Sequence, residues 1–168
     1  MPNHWHLVLY PKEDGDMSRF MGWVTNTHTR RWHVAKRTIG HGHLYQGRYK
    51  SFLCETDGHF LVLVRYVEQN PKKANLVQKV EDWRWGSVWR REHGTPQQKN
   101  LLAEWPVERP DNYSALLNTI VSEEEEKEID GAIVKNLPFG SDSWKERMVQ
   151  KFDLEQTLRG VGRPRNGG

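Results

Sequence analysis

His4-Trp5-His6-Leu7-Val8-Leu9-Tyr10, closed by Pro11, is the stretch on which the fold turns. It is aromatic and aliphatic and ends where a proline removes a backbone donor, so it predicts a short β-strand. Alternate residues of a strand share a face. His4, His6 and Val8 then point one way, and Trp5, Leu7 and Leu9 the other. Two imidazoles on one face can chelate a single divalent cation, neutral imidazole being a common metal ligand. A lone His-x-His is a short pattern, however. By itself it fits two separate surface or core histidines better.

Working outward, residues 16–36 predict a helix, with Asp16 or Ser18 as cap and Phe20, Trp23, Val24 and Thr27 at helical spacing. Gly40-His41-Gly42-His43 ends it. With Cys54 that tract would suggest a second metal site, but a Gly-His loop reads more simply as a turn. Residues 44–55 read as extended. Asp57 suits the cap of a further helix over residues 59–70, with Phe60, Val64 and Val67 on one stripe, and Pro71 stops it or starts a new turn. Tyr66 and Asn70, four residues apart, share a face of that helix. A phenol beside a metal-liganding amide can attack a metal-polarised phosphate. Taken alone, the plainer account is better: Tyr66 packs against a sheet and Asn70 caps the helix.

A third group is basic and aromatic. Tyr45-Gln46-Gly47-Arg48-Tyr49-Lys50, with Arg65, Lys72 and Lys73, interleaves rings and cations. Bases stack on rings while cations meet phosphates, as single-stranded nucleic acid requires. A strand edge protected by charge explains the same residues equally well.

Beyond Lys79 the chain changes character. Trp83, Trp85 and Trp89 suggest an aromatic cluster, and residues 95–100 a polar loop. Pro106 and Pro110 limit helix in residues 101–118. Residues 122–135 predict a helix with an acidic start and a capping box from Ser122 to Glu125. Residues 142–152 predict another, and 154–158 a short one. The expected division is a core over residues 1–90, a helical extension over 91–158 and a flexible basic tail over 159–168.

Composition bounds the function without fixing it. The chain has 168 residues, 36% hydrophobic, enough for a modest core. With 25 Lys and Arg against 22 Asp and Glu, the net charge of +3 permits a nucleic-acid partner without demanding one. The single cysteine, Cys54, excludes an intrachain disulfide and a four-cysteine zinc site, and suits a reducing cytoplasm. No apolar run approaches the roughly 18 residues of a membrane span, and residues 1–6 do not read as a signal peptide.

The pieces acquire weight from their order. Met-Pro-Asn-His-Trp-His-Leu comes first, then a helix, then Tyr-Gln-Gly-Arg-Tyr-Lys-Ser. Arg-Tyr-Val-Glu-Gln-Asn-Pro follows, with Ala74 and Leu76-Val77 after it, and Trp83-Arg84-Trp85-Gly86-Ser87 comes last. Together they resemble the REP-associated tyrosine transposases, a branch of the single-tyrosine HUH transposases, over residues 1–89 and more loosely beyond. The resemblance implies an α+β fold: a ferredoxin-like antiparallel sheet with helices on one face, followed here by a mostly helical C-terminal extension. It implies that His4, His6 and Asn70 bind Mg²⁺ or Mn²⁺ and that Tyr66 is the nucleophile. Tyr66 would cleave single-stranded DNA at hairpin-associated sites, leaving a 5′-phosphotyrosine link and a free 3′-OH, and the reverse attack would rejoin strands. Arg48, Lys50, Arg65, Lys72 and Lys73 are candidates for contacting that DNA, chosen from charge and position rather than from the resemblance.

Two alternatives stand beside this one: a domesticated or decayed relative that binds hairpin DNA without cutting it, and a metal-dependent nuclease in which water attacks. A nucleoid-associated cytoplasmic protein, monomeric or homodimeric, is expected. Gly162-Arg163-Pro164-Arg165 resembles the core of an AT-hook, but Val161 stands where that motif has arginine, so a simple tail is the better reading. Members of the family carry a strand, a helix and a further strand before the His-x-His strand, whereas this sequence starts at Met1. The expectation is therefore an N-terminally incomplete core with an unpaired edge, poorly stable or inactive unless a partner chain supplies the missing strands.

Overall fold

The computed structural model describes residues 1, 3–40, 42–119 and 121–158. The expected Gly-His turn therefore falls partly outside the described residues, and the basic tail with its AT-hook-like core wholly outside them. The chain forms two compact units, one of Leu7–Tyr49 and one of Met1–His6 with the chain from Lys50 onward.

The first unit is built on α1 (Asp16–Lys36). Neither expected cap serves it: Gly15 is the N-cap, in the left-handed region at φ 79°. Asp16 instead ties the entering turn, its carboxylate accepting from the amides of Lys12 and Glu13 and from the Arg19 guanidinium at 2.6 Å. Only Met21 of α1 is buried.

The second unit is organised by α2 (Gly58–Lys73). Asp57 caps it, accepting from the His59 amide at 2.8 Å. Pro71 does not stop the helix, which runs on to Lys73 with Pro71 buried in its last turn. Two apolar stripes run along α2 at the i, i+3 and i, i+4 spacings that bring side chains onto one face. Phe60 and Val64 join Val80, Val88, Tyr113 and Leu117 in one cluster. Leu63 and Tyr66 join Ile129, Ala132 and Phe139 in another. Full burial of such side chains contributes about 1.5–3 kcal/mol each, so α2 is the element most of this unit depends on.

Mostly short helices follow α2 along the chain. α3 (Ser87–His93) follows a 3₁₀ turn over Val80–Asp82, α4 is Pro96–Lys99 and α5 is Tyr113–Leu116. α6 (Glu123–Lys135) starts on the expected capping box: Ser122 Oγ accepts from the Glu125 amide, and the Glu125 carboxylate accepts from the Ser122 amide. α7 is Asp142–Lys151, and a 3₁₀ turn covers Glu155–Leu158. Between residues 83 and 89 no aromatic cluster forms among the described residues. Trp89 packs on His93, while Trp85 is exposed beneath the Arg84 guanidinium.

The expected α+β fold is corrected outright, because no antiparallel sheet is present among the described residues. The one β contact is an isolated parallel bridge between Cys54 and Phe139. It consists of Glu55 N–H donating to Phe139 O at 2.9 Å and Phe139 N–H donating to Leu53 O at 2.8 Å. Residues 4–10 have the composition of a strand but belong to no strand among the described residues. A strand exists only through the neighbour that takes up its N–H and C=O groups. Leu7, Val8, Leu9 and Tyr10 are all exposed.

Candidate active site

α2 fixes the candidate nucleophile. Tyr66 is 7% exposed, its ring held among Leu63, Ile129, Ala132 and Phe139. Its hydroxyl donates to Asp130 Oδ1 at 3.0 Å, and Asp130 itself lies on the exposed side of α6. The phenol is thus packed along its ring and reaches a solvent-facing carboxylate at its oxygen. Burial, then the Asp130 bond and charge, then the Glu126 charge push its pKa up.

The chain before Leu7 brings both histidines to this face. The His6 and Tyr66 ring centroids are 6.1 Å apart and nearly perpendicular, and the His4 and His6 centroids are 5.1 Å apart. Asn3 Oδ1 lies 2.8 Å from His4 Nδ1. An amide oxygen can only accept, so it holds the proton on Nδ1 and leaves the Nε2 lone pair for a ligand. Burial, then His4, then the N-terminus lower the His6 pKa, which favours the neutral imidazole that metals bind. Asn70 Nδ2 donates to the Tyr66 carbonyl at 2.9 Å, one turn back, so its Oδ1 is the atom that a cation could meet. Two imidazoles and an amide oxygen suit a divalent cation of intermediate hardness.

The five candidate DNA contacts fare differently. Arg48 and Lys50 are exposed, and their side chains make no hydrogen bond or ion pair among the described residues. Arg65, Lys72 and Lys73 are already engaged. Arg65 Nη2 meets Glu125 Oε2 at 3.0 Å, Lys72 Nζ donates to Asn118 Oδ1 at 3.4 Å, and Lys73 Nζ meets Glu126 Oε2 at 2.8 Å. Lys73 also sits 5.2 Å from the centre of the Tyr66 ring.

Sequence reasoning missed the α6 contribution. Glu126 and Asp130 are one helical turn apart, a spacing that was legible, but nothing local says that this face meets Tyr66. It also missed Glu55, Asp57 and His59, whose ligand atoms lie within 4.8 Å of one another. Both carboxylates there have structural work. Asp57 caps α2, and Glu55 Oε2 accepts from the Ser141 amide at 2.7 Å and the Ser141 hydroxyl at 2.9 Å.

Comparison with known proteins bears on the face that carries Tyr66 and the histidines. Residues 1–70 match the family Transposase IS200 like. The matched part holds His4, His6, Tyr66 and Asn70, and it ends inside α2, so α3 to α7 lie beyond it. No curated protein and no solved structure matches the chain. No helix among the described residues is long and apolar enough to cross a membrane.

Proposed function

We propose that this chain is a DNA strand transferase of the tyrosine type, with Tyr66 as nucleophile and His4, His6 and Asn70 as ligands of Mg²⁺ or Mn²⁺. The observation that supports it most is the run of adjacent rings from His4 through His6 to Tyr66, inside the residues that match a transposase family. The substrate is single-stranded DNA flanking a hairpin. The Tyr66 oxygen attacks the phosphorus, an O–P bond to tyrosine forms, and the bond to the 3′ oxygen breaks. The phenol loses its proton and the departing oxygen becomes a 3′-OH. Attack on the phosphotyrosine by another 3′-OH reverses these changes and joins strands, so the bond energy is kept and no nucleotide cofactor is needed. His4, His6 and Asn70 would hold the divalent cation, which when bound would supply Lewis-acid polarisation of the phosphate. Lys50, in the same unit as Tyr66, gives the strand a phosphate contact.

Burial of the Tyr66 ring favours a second reading, a hairpin-binding protein that does not cut. A labelled hairpin oligonucleotide with a single-stranded flank, incubated with the chain in Mn²⁺ and run on a denaturing gel, separates them. The transferase gives a covalent protein–DNA band that Tyr66→Phe abolishes. Binding without any adduct supports the second reading. Cleavage undiminished in Tyr66→Phe means that water, not the phenol, attacks.

A further inference from the structure

The contact between α2 and α6 joins the proposed nucleophile to a part of the chain beyond the family match. From it we infer that Asp130 is a positioning residue for Tyr66, so that α6 completes the active site. The inference rests on Tyr66 being the nucleophile.

A phenol turns about its ring axis, and its hydroxyl hydrogen swings freely unless an acceptor fixes it. Asp130 Oδ1, 3.0 Å from the Tyr66 oxygen, is that acceptor. Fixing the hydrogen toward α6 turns the oxygen lone pairs, which must attack phosphorus, away from α6. Asp130 is itself placed by its neighbours in sequence. Ile129 is fully buried and Ala132 nearly so, both in the cluster that holds the Tyr66 ring. Ring and acceptor are therefore set by one packing arrangement. The Ser122 capping box fixes the start of the same helix, and Glu125 and Glu126 pin it to Arg65 and Lys73 on either side of Tyr66. Three contacts along about two turns of α6 keep its register against α2, which a positioning role requires.

The test compares Asp130→Ala with Asp130→Asn in the full chain, using the hairpin oligonucleotide and Mn²⁺. The readouts are the single-turnover rate of adduct formation, the hairpin dissociation constant and the thermal midpoint. An amide oxygen in the same place can accept the same bond, so Asp130→Asn should form adduct within about threefold of wild type. Asp130→Ala should slow the rate by up to about 10²-fold, the scale of a misplaced reacting group, with hairpin affinity unchanged. Equal rates in Asp130→Ala and wild type overturn the inference. So does a faster Asp130→Ala, which would make the contact a block, or an Asp130→Asn as slow as Asp130→Ala. A merely structural role would lower midpoint and affinity together in both variants. Wild type and Tyr66→Phe run alongside keep the two ideas apart: adduct in wild type but not in Tyr66→Phe upholds the nucleophile whatever Asp130 does. No adduct in wild type removes the nucleophile, and this inference with it.

Discussion

Glu68 shows how much a single residue can carry in a chain this size. It lies on α2, is 8% exposed, and accepts two short hydrogen bonds, from Ser87 Oγ and from the Tyr113 hydroxyl, each 2.6 Å. Arg91 and Arg109 are near enough to favour its charge, yet burial outweighs all four and raises its pKa above the ordinary 4.5. The folded chain then holds this proton to higher pH than the unfolded chain does. The stability associated with it is complete below the unfolded pKa and is lost as pH rises through the folded one. Glu68→Gln cannot titrate. Its stability relative to wild type should therefore climb over the pH window that opens above the ordinary carboxyl range, as read from urea midpoints. A difference that stays flat across that window would show that the carboxyl ionises normally. Tyr113→Phe takes a donor from a buried carboxyl and should cost about 1–3 kcal/mol.

At the scale of elements, sequence and structure agree where the information is local. Residues 16–36 spell a helix through their spacing, and Ser122 with Glu125 spells a helix start, because both patterns lie within a turn or two of chain. Residues 4–10 fail for the opposite reason: composition and the closing Pro11 announce a strand, but a strand is completed by a partner that no local pattern supplies. The candidate site divides the same way. Tyr66 and Asn70 share a helix, so their proximity was legible, whereas Asp130 reaches Tyr66 across 64 residues. Two substitutions probe the elements. Ser122→Ala removes one half of the capping box and should lower stability by about 1 kcal/mol in urea denaturation. Gly140→Ala should cost more, roughly 1–3 kcal/mol. A Cβ there would lie 2.7 Å from both Glu55 Cβ and Trp144 Cε3, against the Cys54–Phe139 bridge and the Glu55–Ser141 hydrogen bonds. A Gly140→Ala chain as stable as wild type would mean that this close approach relaxes freely.

Across the whole molecule the apolar surface is unevenly buried. The unit from Lys50 onward holds both core clusters, with Val80, Leu117, Val121 and Ile129 at 2% exposure or less. In Leu7–Tyr49 the large apolar side chains face solvent instead, Trp23 and Val34 at 65% and Ile39 at 75%. A helix with one buried side chain draws little from tertiary packing, and a 21-residue helix of mixed composition is marginal in water by itself. Hydrogen exchange under native conditions should therefore separate the units. Amides of α1 should exchange through local openings of small free energy, and those of α2 should exchange last, at the free energy of global unfolding. Val64→Ala adds a control, because it removes a buried side chain from α2 at a cost of roughly 1–3 kcal/mol. It should speed exchange along α2 by the corresponding factor and leave α1 unchanged, since α1 already opens more cheaply than that. Equal protection in both helices, or a matching acceleration in α1, would show instead that the two units unfold as one.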